Sequence, residues 1–258
     1  MTANRIWRDG TWSSGDRTVP EEVPVALVYD ASTEAVMMAT PADLEDFAYG
    51  FSLTEGLIRN IDEVQKLDIV TGGAGIEARL WLKPDRSQAV AARRRSRIGP
   101  TGCGLCGVDS LEGAVRVRGR ITNDLKLSPA DILAAVEGLA EKQVLGTQTR
   151  AVHAAGFWKP GNGVVAVRED VGRHNALDKL AGALARQRIT SNTGAVVLTS
   201  RVSIEMVQKT VAIGAPVLIA VSAPTAFAIQ AADEAGLTLV AVARSDGFEV
   251  FTHPARIG

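Results

Sequence analysis

Hydrophobic and polar positions divide the chain into a strand-rich first part and an alternating second part. Residues 4–39 are typical of short strands, with apolar runs at 24–29 and 35–39 separated by a polar turn. The pattern predicts two or three further strands in residues 63–92. Residues 93–110 are rich in arginine, glycine and cysteine and predict a loop.

Two segments in this part of the chain carry a helix-start pattern. In Thr40-Pro-Ala-Asp43, a threonine N-cap is followed by proline at the first helical position, which predicts a helix through Tyr49 that stops near Gly50. Ser128-Pro-Ala-Asp131 repeats the pattern and predicts a helix to about Gln143.

The second half of the chain alternates regularly between apolar strands and longer helical segments. Strands of four to seven apolar residues separated by helices of ten or more predict an α/β fold with parallel strands. The strands are expected at 163–167, 195–198, 216–221, 237–242 and 248–251, and the helices at 171–187 with Asp170 as the cap, 203–213 and 224–235.

The change of pattern predicts three parts along the chain. Residues 1–92 form a smaller strand-rich part, 93–127 a mobile connection rich in arginine, glycine and cysteine, and 128–258 an α/β part that binds a cofactor. One continuous domain is the alternative.

Composition excludes several classes of protein. The net charge of −1 argues against nucleic-acid binding, and no apolar run approaches the length of a membrane span. The amino terminus lacks the apolar stretch of a secretory signal, and two cysteines in 258 residues do not make a disulfide framework. We therefore expect a cytoplasmic protein.

Cys103 and Cys106 are the only cysteines and form a C-x-x-C motif within a glycine-punctuated stretch. The basic run Arg93-Arg-Arg95 and Arg97 lie just upstream, and neighbouring positive charge lowers the pKa of a thiol. Both features indicate sulfur chemistry, although the run could equally be a solvated surface.

Four interpretations of the cysteine pair remain open at this point. A zinc site requires further ligands, which the three histidines do not offer at short spacing, so no metal is expected. Zinc-deaminase chemistry lacks its H-x-E element. A thioredoxin-like redox site and a persulfide carrier are the other two, and C-x-x-C alone ranks them poorly.

Polar residues follow three of the predicted parallel strands. Because carboxyl ends of such strands gather ligands, and helix N-termini bind anions, these residues indicate a phosphate or nucleotide pocket. Ordinary capping residues and solvated arginines are the alternative. A further polar segment, 170–179, could orient a ligand or a base, or be an exposed helix face. The candidates for cofactor binding are Arg173, His174, Arg201, Ser222 and Thr225, together with Ala241, Val242, Ala243, Arg244, Ser245 and Asp246.

Several segments together resemble the FdhD family of sulfur carrier proteins needed for formate dehydrogenase activity. The resemblance runs in order from about residue 20 to the end. The segments are Thr40–Leu44, Gly50-Phe-Ser-Leu-Thr-Glu-Gly56, Cys103-Gly-Leu-Cys106, Asp170-Val-Gly-Arg-His-Asn-Ala-Leu-Asp-Lys179, Arg201–Lys209, Ser222–Thr225 and Gly236–Leu239.

The resemblance implies a sulfurtransferase that works as a carrier. Family members accept a persulfide from a cysteine desulfurase and deliver the sulfur to bis-guanine-dinucleotide molybdenum cofactor before its insertion into formate dehydrogenase. It further implies a cytidine-deaminase-like fold without zinc, a homodimer, and guanine-nucleotide binding near 241–246. Cys103 corresponds to the principal persulfide residue and Cys106 to its partner. A cofactor-holding chaperone without sulfur transfer and a thiol–disulfide oxidoreductase are the alternatives.

One stretch departs from the family pattern. The family tends to have Gly-Gly before a histidine, whereas this chain has Arg150-Ala151 before His153.

Overall fold

The computed structural model describes residues 1–97, 117 and 119–258. The chain opens with a two-stranded antiparallel hairpin of β1 (Thr2–Arg8) and β2 (Thr11–Arg17). A four-stranded sheet follows, in the order β4-β3-β6-β5. Its strands and its two helices are β3 (Val23–Tyr29), β4 (Ser32–Ala39), α1 (Leu44–Thr54), β5 (Val64–Gly72), β6 (Gly75–Leu82) and α2 (Pro84–Arg97).

The larger sheet has six strands in the order β12-β11-β10-β9-β7-β8. Strands β9, β10 and β11 run parallel, whereas β7, β8 and β12 each run antiparallel to the neighbours with which they pair. Its elements are α3 (Pro129–Glu141), α4 (Val144–Thr149), β7 (His153–Lys159), β8 (Gly163–Asp170), α5 (Arg173–Arg186), β9 (Ala195–Leu198), α6 (Ile204–Ile213), β10 (Val217–Ala220), α7 (Ala226–Ala235), β11 (Thr238–Arg244) and β12 (Gly247–Val250).

Helices cover both faces of the six-stranded sheet, which is why its parallel strands are apolar throughout. On β9, Val196 and Leu198 join the core beneath α5, α6 and α7, while Ala195 and Val197 join the core beneath α3. A strand buried on both faces cannot alternate apolar and polar residues. The expected α/β class with a smaller strand-rich first part is confirmed.

Helix α1 links the two sheets by packing tightly against α5. A Cβ atom on Gly50 would lie 1.6 Å from the carbonyl oxygen of Asp178, and one on Gly182 would lie 1.9 Å from that of Asp46. Only glycine permits this approach of two helix backbones. The expected end of the helix at Gly50 is therefore wrong, because this glycine is an interior contact position.

The start of α1 also differs from the expectation. Thr40 is not the N-cap; the helix begins at Leu44, after Asp43, which has a left-handed φ of 53°. Thr40 instead binds the second half of the chain, since its backbone N–H donates to Asp170 at 3.0 Å. At Ser128, by contrast, the capping box is confirmed, with Ser128 and Asp131 satisfying each other's backbone N–H groups.

Two further expectations are corrected. Residues 63–92 hold two strands and most of α2, so residues 93–97 belong to a helix and not to a loop. Helix α5 begins at Arg173 with Gly172 as its N-cap, and Asp170 is not the cap because its carboxylate is engaged in a buried ion pair. The division into three parts stays a prediction.

Within the described ranges, we find no helix with both the length and the apolar character required to cross a membrane.

Candidate functional site

The carboxyl edge of the six-stranded sheet collects the polar residues that the sequence singled out. Strands β9, β10 and β11 end at this edge, and the antiparallel pairing of β7 brings its first residue, His153, to the same place, opposite Asp170. Helices α5 and α6 begin there, so their unpaired N–H groups face the edge. This is the position at which α/β sheets bind ligands.

The loops that follow the three parallel strands are hydrogen-bonded to one another. The N–H of Thr225 donates to the carbonyl of Val202 at 2.9 Å, and the N–H of Val242 donates to that of Ser222 at 3.3 Å. Between Ala241 and Arg244 the β11–β12 pairing contains a bulge. The structure thus brings predicted residues from three loops onto one edge.

The side chains at this edge differ in their exposure. Ala241 and Ala243 are buried, whereas Val242 and Ser222 are partly buried. Those that face solvent are Arg201, Thr225, Arg244, Ser245 and Asp246. Two arginines and several hydroxyl groups are therefore accessible to a ligand.

Arg173 and His174 occupy the first turn of α5, and both are partly buried. The Nε atom of Arg173 is inaccessible to solvent and has no hydrogen-bond partner among the residues that the structure describes. A buried donor without a partner is costly. Within the described part of the chain, Arg173 therefore offers an unused hydrogen bond to an anionic ligand.

His174 is held in its neutral form. Burial, followed by the nearby charges of Arg173 and Lys209, lowers the pKa of His174 to about 4, against the opposing carboxylates of Glu205 and Glu55. At neutral pH the imidazole carries one N–H donor and one free acceptor nitrogen. His153 is affected similarly, because burial and then the charge of Arg173 lower its pKa.

A charged network lies beneath His174. The Nζ atom of Lys209 is 2.8 Å from Asp178 Oδ1, 3.1 Å from Glu55 Oε1 and 3.1 Å from Thr54 Oγ1. Asp178 also accepts a hydrogen bond from Thr54 at 2.6 Å. Burial raises the pKa of Asp178, and the positive charge of Lys209 opposes that effect.

This network joins both sheets. Thr54 and Glu55 lie at the end of α1, Asp178 on α5 and Lys209 on α6. The sequence analysis included Glu55 and Lys209 in segments that resemble the family but gave them no role. A buried lysine with two carboxylates cannot be inferred from one sequence, because the three residues are far apart along the chain.

The segment 170–179 proves to be chiefly structural. Asp170 and Lys179 form an ion pair at 2.6 Å with no exposed surface on either side chain. Asn175 donates to Asp170 at 3.0 Å and to the carbonyl of Met38 at 2.8 Å. Only Arg173 and His174 of this segment remain available at the edge of the sheet.

Cys103 and Cys106 lie outside the described residues. The chain before them is anchored beside the charged network, since Arg93 Nη1 donates to the carbonyl of Glu55 at 2.7 Å. The chain after them passes α6, where a Cβ atom on Gly119 would lie 3.5 Å from Val211. Both ends of the intervening segment are therefore located next to α1 and α6.

We find no group of three or more histidine, cysteine, aspartate or glutamate side chains arranged to hold a metal ion in residues 1–97, 117 and 119–258.

The mixed sheet with helices on both faces defines an α/β protein with a ligand edge, and comparison with known proteins identifies its family. The model of the FdhD/NarQ family matches residues 20–258. The sulfur carrier protein FdhD of Agrobacterium fabrum is 55% identical over 256 residues, covering 99% of this chain and 94% of that protein. The sulfur carrier protein FdhD of Brucella abortus is 50% identical over 266 residues, covering 100% and 99%.

Solved structures agree with this assignment. A crystal structure described as a formate dehydrogenase accessory protein from Desulfotalea psychrophila superimposes with a TM-score of 0.79. It is 28% identical, and the match covers 100% of this chain and 98% of that one. The chain belongs to the FdhD/NarQ family.

Proposed function

We propose that this chain is a sulfur carrier that serves formate dehydrogenase. It accepts persulfide sulfur from a cysteine desulfurase on Cys103 and delivers it to a molybdenum cofactor of the bis-guanine-dinucleotide type. Family membership supports the carrier role, and the relatives' names support the link to formate dehydrogenase. The anchoring of Arg93 on Glu55 carries the proposal most directly, because it holds the chain ten positions before Cys103 beside His174 and Lys209.

The loading step moves one sulfur atom between two thiols. The Cys103 thiolate attacks the outer sulfur of the desulfurase persulfide, that S–S bond breaks, and the desulfurase leaves as a thiolate. Cys103 then carries an S–SH group, which is ionised at neutral pH because a persulfide is more acidic than a thiol. The nearby cations are suited to stabilise this anion.

The release step is also balanced. The Cys106 thiolate attacks the inner sulfur of the Cys103 persulfide, a disulfide forms, and the outer sulfur leaves as sulfide with the electron pair of the broken bond. The two cysteines are oxidised and the transferred sulfur is reduced. A cellular dithiol then reduces the disulfide and returns the carrier to its starting state.

The molybdenum cofactor is the substrate that receives the sulfur, and the edge of the six-stranded sheet is the proposed place for its nucleotide. Arg173 has an unused donor there among the described contacts, and Arg201 and Arg244 are exposed at the same edge. Diphosphate oxygens fit guanidinium groups and helix N-termini. Neutral His174 can hydrogen-bond the cofactor without adding charge. By resemblance we also propose a homodimer in the cytoplasm.

Intact-protein mass spectrometry tests the carrier role. Wild type, Cys103→Ala and Cys106→Ala are incubated with cysteine and an active desulfurase, without reductant. We expect wild type to gain the mass of one sulfur atom, reversibly with reductant, and Cys103→Ala to gain none. If no variant gains mass, the carrier role fails and a cofactor-holding chaperone replaces it.

Calorimetric titration with GDP tests the nucleotide site independently. We expect Arg173→Ala and Arg244→Ala each to raise the Kd at least about tenfold, the cost of losing one charged hydrogen bond. Arg188→Ala, an exposed arginine just beyond the opposite end of α5, should leave the Kd unchanged. Equal affinities for all four proteins would place the nucleotide elsewhere.

A further inference from the structure

Exposed apolar side chains are concentrated near the beginning of the chain. Six of the eight large hydrophobic side chains found exposed in the described residues fall within positions 1–38. They include Trp7 and Trp12 on the hairpin and Val36 and Met38 on β4. Clusters of this kind mark interaction sites, whereas scattered single residues do not.

The β1–β2 hairpin presents a tryptophan pair. Trp7 and Trp12 are cross-strand partners with ring centroids 5.2 Å apart, and the guanidinium of Arg5 lies 4.9 Å from the Trp12 ring. Trp7 is 57% exposed and Trp12 59%. Two-stranded hairpins alone are marginally stable in water, and tryptophan and arginine dominate the binding energy of interfaces. This face is therefore suited to dock against an apolar surface.

The open face of the four-stranded sheet offers such a surface. Strand pairing places Val36, Ala26, Glu77 and Val70 in one row across the sheet, on the face opposite the α1 core. Together with the glycine-rich turn at 72–75, they line a groove of about 420 Å³. Its centre is apolar and one side carries the carboxylate of Glu77.

The two surfaces match in charge as well as in polarity. Glu77 pairs with Arg79 at 2.7 Å, but both side chains are partly exposed, and the second carboxylate oxygen of Glu77 remains for another cation. Arg5 projects beside the tryptophan pair and can supply that cation. Val36 is 60% exposed, so the hairpin of its own chain does not cover it.

We propose that the hairpin of one copy docks into the sheet groove of a second copy, and that two such contacts related by a two-fold axis form the homodimer. This inference rests on the homodimer proposed above and specifies its interface. Reciprocal exchange removes both exposed surfaces at once and closes the assembly. Four tryptophan side chains, each able to bury about 150–250 Å², would supply much of the area of a standard interface.

Sedimentation equilibrium of the full chain over a range of concentrations tests the interface. The double variant Trp7→Ser/Trp12→Ser should raise the dimer Kd at least about 100-fold, because each dimer loses four buried aromatic side chains. Val36→Lys, which fills the groove of the other surface, should have a similar effect. Val144→Ser removes an apolar side chain that is 63% exposed on α4 and should leave the Kd unchanged.

A charge exchange tests the contact between the two surfaces. Arg5→Glu and Glu77→Lys should each weaken the dimer about tenfold, and the combined variant should return to within about threefold of wild type. Dimers that survive both the tryptophan and the Val36 variants would overturn this interface but leave the homodimer. A monomeric wild type would overturn both. The sulfur-loading assay on the same samples reports separately on the carrier function.

Discussion

Asp170 Oδ2 lies 2.6 Å from Lys179 Nζ, and neither side chain has any exposed surface. Around this ion pair, Asp170 accepts hydrogen bonds from the backbone of Thr40 and Gly172, and Lys179 donates to the carbonyl of Thr40 at 2.9 Å. The pair therefore connects the end of β4 to the start of α5. Its charge is satisfied on every side, which is the condition under which a buried pair is tolerated.

Replacing Lys179 with methionine should destabilise the fold strongly. The variant keeps the length of the side chain but leaves the Asp170 carboxylate buried without its counter-ion, at a cost of about 3–5 kcal/mol. Urea denaturation measures this change in the free energy of unfolding. Lys66→Met breaks an exposed pair with Asp68 and should cost at most about 1 kcal/mol. Equal losses in the two variants would contradict the role of the buried pair.

Alanine at Gly182 should also be strongly destabilising. Its Cβ atom would lie 1.9 Å from the Asp46 carbonyl, and a backbone atom cannot yield without moving α1 away from α5. We expect a loss of at least about 3 kcal/mol, although alanine is ordinarily the better helix residue. Gly73→Ala, where a Cβ atom would meet nothing within 4 Å, is the matched control. A stable Gly182→Ala protein would show that the helices are less closely packed.

The same glycines explain why the sequence predicts the second half of the fold better than the first. Strands such as 195–198 follow from apolar runs of the right length, and local pattern is enough to find them. Gly50 looks like a helix stop because its conformational cost is local, whereas its benefit is a contact with Asp178, more than a hundred residues away.

The candidate site shows the same limit. Polar residues at strand ends, such as Ser222 and Arg244, are predictable because the carboxyl edge of a parallel sheet follows from topology. The Lys209–Glu55 pair is not, since it depends on how α1 meets α6. The pattern also could not separate Asp170, which is structural, from His174, which stays at the edge of the site.

Glycine at position 150 should stabilise the protein. Arg150 caps α4 with a left-handed φ of 53°, a conformation that favours glycine. The family pattern has glycine before His153, and this chain carries arginine instead. We expect Arg150→Gly to raise the free energy of unfolding by about 0.5–1 kcal/mol. Gln187→Gly, at a cap with φ of −82°, should give no gain, and a similar gain at both positions would exclude the conformational explanation.

Acidification should destabilise the fold through His174. Its folded-state pKa of about 4 lies below the ordinary value of 6.5, so the unfolded chain takes up a proton first. The stability contributed by the neutral imidazole is present above about pH 6.5 and is lost as the pH falls towards 4. Allowing for partial exposure, we expect His174→Gln to remove up to about 2 kcal/mol of the pH dependence. The residues that face His174 are Arg173, Lys209, Glu205 and Glu55. Urea denaturation from pH 7.5 to 4.5, with His253→Gln as the control, measures the effect, and parallel curves for wild type and His174→Gln would refute it.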